Sequence, residues 1–182
     1  MDNNIKMVIG SWGSYNKCNE RSLGSKWLAL SDYECWDEIV EELEEQGFEL
    51  NGIDEELFVQ DIEGIPTDGV NWDYVNPKEL FEKLLESEIL SDDYKLEKMQ
   101  AFLECRNLDN FLEIVDNYGS NWDANIYLYK GFDWADLGCE YFESCCYKLP
   151  GNIADFIDFD AYGRYIGYDA EEYSGGIIEI YR

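Results

Sequence analysis

The sequence predicts an α+β fold in three small consecutive domains: residues 1–75 as a sheet with a helix, 76–118 as a helical bundle, and 119–182 as α+β with a C-terminal hairpin. Three observations carry this reading. Strand-like apolar runs lie near both ends, at Ile5 to Gly10 and Ile177 to Tyr181. Amphipathic helical segments with legible caps fill the middle, from Asn76 to Val115. The pattern breaks at Gly64 to Val75, where Pro66, Asp68, Gly69 and Asn71 make a linker, and again at Tyr118-Gly119.

In the first domain, Ile5 to Gly10 reads as a strand, Ser11 to Lys26 as a polar loop and Trp27 to Leu30 as a second strand. Ser31 with Glu34 three residues on predicts a capping box. The helix it opens has Trp36, Ile39, Val40 and Leu43 as its apolar stripe and Gly47 as its stop. Glu34, Asp37, Glu38, Glu41, Glu42, Glu44 and Glu45 cover the rest, with no Lys or Arg among them, so no intrahelical pairing offsets their repulsion. A third strand at Leu57 to Ile62 completes the sheet.

The second domain opens with Asn76 as a cap, Pro77 at the first helical position and Glu79 at the third, a strong start signal. Leu80, Phe81, Leu84 and Leu85 form its apolar face. Ser91 opens the next helix, with Leu96, Met99, Phe102 and Leu103. Asn107 opens a third, with Leu108, Phe111, Leu112 and Val115.

In the third domain, Asn125 to Tyr129 reads as a strand and Asp133 to Glu143 as a helix that buries Trp134, Leu137 and Tyr141. Asp133, Asp136, Glu140 and Glu143 then form a stripe at spacings of three and four. Such a stripe sets a carboxylate about every 5 Å of rise, against about 3.4 Å per phosphate on one DNA strand, so only several acidic elements side by side could imitate a phosphate row. Pro150 and Gly151 break the chain before DFIDFDAYGR, Asp155 to Arg164. On a helix, Ile153, Phe156, Ile157 and Tyr162 would face inward and Asp155, Asp158 and Asp160 outward. Tyr173 to Tyr181 reads as a hairpin across Ser174-Gly175-Gly176.

The formal charge is -28, from 41 acidic and 13 basic residues, at 46% hydrophobic and 16% aromatic content. The aromatic share is too high for an acidic disordered tail and fits ordinary cores, against a halophilic adaptation. A charge of -28 matches about 14 base pairs of B-DNA, or about 48 Å of duplex. The acid excess runs through all three domains, at -14, -6 and -8. No basic patch exists, which argues against direct nucleic-acid binding and against an acidic membrane surface. The start MDNNIKMVIG lacks a signal-peptide pattern and no apolar run is long enough to span a membrane, so a cytoplasmic location is expected. Cys18, Cys35, Cys105, Cys139, Cys145 and Cys146 show no CxxC spacing and read as reduced thiols.

The sequence contains no histidine, which removes Ser-His and Cys-His nucleophile pairs and His metal sites. Asp68, Asn71 and Asp73 do not fill a calcium loop in order, and Gly10 to Gly13 lacks the Lys of a P-loop. Among so many carboxylates some pair always lies close, so proximity alone is poor support for an acid-base enzyme. The expectation is therefore no catalytic residue, no metal and no cofactor.

IDFDAYGR at Ile157 to Arg164, preceded by Pro150 and followed by GIIEIY at Gly176 to Tyr181, resembles the third domain of the ArdA-type antirestriction proteins. Asp133, Asp136, Leu137, Tyr141 and Glu143 are similar to the acidic helix of that family. Ser14-Tyr15-Asn16, Leu23-Gly24 and Trp27 are similar to its N-terminal signature, with a longer loop between Asn16 and Gly24. The resemblance runs in order through essentially the whole chain. It implies an elongated, curved chain that dimerises through its C-terminal domain, is associated with mobile genetic elements and is not an enzyme. Its surface carboxylates would imitate DNA phosphates and occupy the DNA-binding groove of type I restriction-modification enzymes. The surface expected to do so comprises the acids of 34–45, Asp133 to Glu143, and Asp155, Asp158 and Asp160. The competing expectation is a generic acidic protein that binds some other DNA-binding protein.

Overall fold

The computed structural model describes residues 4–145, 153 and 156–181. The chain divides into two compact units, Met1–Trp122 and Asp123–Arg182. Each holds a three-stranded antiparallel sheet with helices, the mixed α and β content expected from the sequence. The sequence boundary at residue 118 lies close to this division. The boundary at residue 75 falls inside the first unit, where the rings of Trp36 and Phe81 stand 6.2 Å apart and Gln100 Nε2 donates to the Gly64 carbonyl at 2.6 Å.

In the first unit, β1 (Lys6–Ser11) lies between β2 (Leu28–Ala29) and β3 (Leu57–Glu63). Met7 faces Leu28 on one side and Ile62 on the other, and the β1–β3 register slips between Val8 and Ile9. Met7, Ile9 and Val59 are wholly buried. The predicted polar loop instead contains a helix, α1 (Trp12–Lys17), capped by Ser11 and ended by Cys18 in the left-handed region. Its cause is aromatic packing: Trp12 stacks on Phe58 at 4.3 Å, with Tyr15 edge-on to both.

The Ser31 capping box does not form. Leu30 is drawn into the core, its N–H bonded to the Ile5 carbonyl, and residues 30–32 make a short 3-10 turn. Ser31 Oγ instead donates to Asn4 Oδ1 at 3.0 Å. The helix α2 (Trp36–Glu45) begins after Cys35, and the Glu38 carboxylate accepts the Glu34 N–H at 2.7 Å. Ile39 and Leu43 are fully buried, Trp36 and Val40 half-buried. Gly47 follows at φ +89°, a conformation that explains glycine there.

The helical part matches expectation more closely. Asn76 accepts the N–H groups of Lys78 and Glu79 at the start of α3 (Pro77–Glu86), and Asn107 that of Asn110 at the start of α5 (Leu108–Tyr118). Between them α4 (Asp93–Cys105) is capped by Asp92 rather than Ser91, whose hydroxyl donates to the Glu88 carbonyl. An aspartate accepts these amides better than a neutral hydroxyl. Leu80, Phe81, Leu84, Leu96, Met99, Phe102, Phe111 and Val115 are buried, whereas Leu85 is exposed.

In the second unit, β6 (Gly176–Ile180) is central, flanked by β4 (Ile126–Lys130) and β5 (Ala170–Tyr173). The C-terminal hairpin forms, but its first strand already begins at Ala170, and Gly176 pairs with Tyr173 as the first residue of β6 instead of lying in the turn. Gly176, at φ +143°, lies where a Cβ would run into the Tyr129 carbonyl. The core joins Trp134 and Leu137 of α6 (Trp134–Ser144) to Ala170 and Ile177, with Tyr129, Phe132 and Tyr141 against it. The last helix, α7 (Phe159–Ile166), lies with its backbone close to that of α6. A Cβ on Gly138 would collide with the Phe159 carbonyl, and one on Gly163 with that of Trp134. Asp158 caps α7, so the helix starts later than the acidic-aromatic stretch implied. Ile153 and Phe156 are consequently exposed, not inward, while Ile157 and Tyr162 are half-buried. Asp155, Cys146, Pro150 and Gly151 lie outside the described residues.

Candidate acidic binding surface

On α2, Asp37, Glu38, Glu41, Glu44 and Glu45 are exposed and Glu42 is half-buried. Glu34 is exposed too, but it precedes the helix. The N-terminal end of the macrodipole favours Asp37 and Glu38; its C-terminal end disfavours Glu44 and Glu45, where the last turn holds no base. Burial of Ile39 and Leu43 must therefore hold a helix whose surface charges repel. Glu42 Oε1 accepts from Gln46 Nε2 at 2.7 Å, and Gln46 Oε1 accepts the Lys26 N–H at 2.8 Å, tying the helix end to β2's approach. The neighbouring Tyr33 reports the local field. Its phenol is pushed above the ordinary range by burial and then by the charges of Glu42, Asp32 and Glu38.

On α6, Asp133, Asp136, Glu140 and Glu143 are all exposed. Two of them also build the helix start. Asp133 Oδ1 accepts the Asp136 N–H at 2.9 Å and Asp136 Oδ2 accepts the Asp133 N–H at 3.1 Å. Asp158 and Asp160 are likewise exposed and engaged. Asp158 caps α7 through the Ala161 N–H at 3.0 Å, and Asp160 pairs with Arg164 at 3.0 Å. The same guanidinium reaches Glu172 at 3.8 Å and lies 5.1 Å from the Trp134 ring centroid. Among the described residues the expected acids thus lie on or just before α2 in one unit, and on α6 and α7 or at their caps in the other.

Several basic side chains are turned toward acids of their own unit. Lys83 bridges Glu86 at 2.8 Å and Asp116 at 2.5 Å, bonds that raise its pKa. Lys95 pairs with Glu88 at 2.6 Å and donates to the Ser120 carbonyl at 2.6 Å. Lys98 is buried and lies 4.9 Å from the Tyr94 ring centroid. Such cations brace helices against one another and add little to the outer surface.

Two acids that the sequence reading did not single out are buried. Asp54 is fully buried: its carboxylate accepts from Ser14 Oγ, from the Glu49 N–H at 2.9 Å and from Arg21 Nε at 3.0 Å. Burial pushes its pKa up, but these hydrogen bonds and the Arg21 charge outweigh it and hold the carboxyl below its ordinary value. Glu179, 2% exposed, accepts from Tyr141, from Tyr129 at 2.9 Å and from Tyr181 at 3.0 Å. Its one available signal was the strand period, which puts Glu179 on the same face as Ile177.

Among the described residues no group of three or more His, Cys, Asp or Glu is arranged to hold a metal ion, and no helix is long and apolar enough to cross a membrane. Within each unit the arrangement offers carboxylates on exposed helix faces, a chemistry suited to contact with Lys and Arg. The protein family described as Antirestriction protein (ArdA) matches the chain over residues 7–179. No curated protein matches it.

Proposed function

Because this chain belongs to the ArdA antirestriction protein family, we propose that it acts as a DNA mimic that occupies the DNA-binding groove of a type I restriction-modification enzyme. It blocks restriction, and modification where the same groove serves both, without catalysis of its own. The observation that supports this best is α2, where Asp37, Glu38, Glu41, Glu44 and Glu45 are exposed on a helix that carries no base. Retaining such repulsion suits a surface whose neutralising charges arrive with a partner. The acids of α6 and α7 extend the display in the second unit. In this reading the protein works in the cytoplasm as a homodimer, in which two chains carry the charge of about 28 base pairs of duplex. Residues 1–75, 76–118 and 119–182 act as the three segments of the mimic.

Association of this kind is steered by charge and weakens as salt rises. The test is competition between the purified protein and a DNA duplex for a type I restriction-modification enzyme at two salt concentrations. Displacement that fades at the higher salt is expected; absence of displacement at low salt by folded protein sinks the proposal. Replacing Asp133, Asp136 and Glu140 together by Lys should weaken displacement at least tenfold, the order of a few lost charge contacts. Unchanged displacement by the folded variant would remove α6 from the contact surface.

A further inference from the structure

We propose that Glu179 and the phenols of Tyr129, Tyr141 and Tyr181 form a positioning site that seats α6 on its sheet and thereby aims the α6 carboxylates. The inference rests on the reading above that those carboxylates meet the partner. Glu179 is 2% exposed, so it takes no part in the outward display of carboxylates on α6 and α7. Its ligands come from three different places. Tyr129 lies on β4, Tyr181 follows β6, and Tyr141 lies on α6.

The strand alternation places Glu179 on the face of β6 that carries Ile177, and Ile177 packs with Trp134 and Leu137 of α6. That apolar contact holds the helix against the sheet but is non-directional. The Tyr141–Glu179 hydrogen bond is directional and joins one turn of the helix to one strand position. It sets both the rotation of α6 about its axis and its position along the strand. Tyr141 is the immediate neighbour of Glu140, and successive residues are about 100° apart around the helix, so fixing Tyr141 fixes the direction of Glu140. Asp133, Asp136 and Glu143 belong to the same stripe and turn with it. The Tyr141 hydroxyl also lies 2.9 Å from that of Tyr181, closing the cluster.

The test uses Tyr141→Phe, which keeps the ring and removes only the hydroxyl on α6, leaving Glu179 two phenol donors. Tyr127→Phe is the control: Tyr127 lies opposite Glu179 across the β4–β6 ladder and packs edge-on to Tyr181 at 5.7 Å, but its hydroxyl does not donate to the Glu179 carboxylate. Glu179→Gln is the second variant. Each full-length protein is compared in the duplex-competition assay at two salt concentrations, beside hydrogen exchange of the α6 amides. Tyr141→Phe and Glu179→Gln should weaken competition about threefold to tenfold, the order of one ordinary hydrogen bond, and speed exchange along α6. Tyr127→Phe should do neither. If folded Tyr141→Phe competes as the unaltered protein does, Glu179 is only a core residue and the inference fails. If the unaltered protein itself does not compete, the mimic reading falls first and takes the functional role of this site with it. A Glu179→Gln protein that does not fold leaves Tyr141→Phe to decide.

Discussion

Among the described residues each unit buries one carboxylate, and the two are satisfied by different chemistry. Asp54 in the first unit has a cation, Arg21, beside a hydroxyl and a backbone amide. Glu179 in the second is surrounded by phenols. Hydrogen bonds and the Arg21 charge together hold the Asp54 carboxyl below its ordinary value despite its burial. Phenols lend only dipoles, and their own ionisation is suppressed instead. Tyr141 and Tyr129 are driven far above the ordinary range by burial and then by the bond to Glu179, with the carboxylate's charge adding to it. Tyr181 is raised as well, again chiefly by burial. A highly acidic chain thus holds its two inward acids by opposite electrostatic means, which should make its two units fail under opposite conditions.

The largest effect should come from taking away the carboxylate that has a charged partner. Asp54→Ala leaves Arg21 without its counterion and Ser14, Asn19 and the Glu49 amide without the group around which they are arranged. A loss of about 3 kcal/mol is expected, the scale for breaking a buried pair from one side. Denaturant titration of the full chain measures it, and a loss below about 1 kcal/mol would show that the cluster is better solvated than its burial implies. The transition assigned to the second unit should be unmoved.

Next in size is the response to pH. For Asp54 the folded value lies below the unfolded one, so its contribution is complete above the ordinary carboxylate range and disappears as pH falls through its depressed value. For Tyr129, Tyr141 and Tyr181 the folded values lie above about 10, so above that pH the unfolded chain ionises while the folded one does not, and stability falls as pH rises. Acid should therefore weaken the first unit by this route and alkali the second. Tyrosinate absorbance followed through an alkaline titration should show late-ionising phenols whose appearance coincides with unfolding of the second unit. Phenols that all titrate together near their ordinary value, with the fold intact, would break the contrast.

The features that made this contrast were the least legible in the sequence. Asn76-Pro77, Asn107 and the Ser174-Gly175 turn were readable because a cap or a turn is decided within a few residues. The acids expected on α2, α6 and α7 were largely found exposed, since amphipathic spacing is also local. The Ser31 box failed because a distant demand, Leu30 against β1, drew the chain into a 3-10 turn first. The helix α1 was missed for the same reason, its aromatic partner Phe58 being more than 40 residues away. Asp54 and Glu179 looked like any other acid in a chain with so many. What separates them is the company of Ser14 and Arg21, or of Tyr129 and Tyr141, which only the folded chain assembles.

The smallest effect sharpens the comparison by taking acids that have neither arrangement. Glu44 and Glu45 lie in the last turn of α2, exposed, where the macrodipole and the neighbouring carboxylates both disfavour a negative charge. Replacing Glu45 by Lys converts that repulsion into attraction, both with the helix end and with Glu41 one turn away, and should stabilise the chain by about 0.5 kcal/mol. The same substitution should weaken competition with duplex DNA, because it removes one charge from the display and inserts another of the wrong sign. A gain in stability accompanied by a loss of binding would identify the α2 acids as groups retained for a partner at the expense of the fold. A gain in stability with binding unchanged would leave their repulsion without a function and shift the contact surface to the second unit.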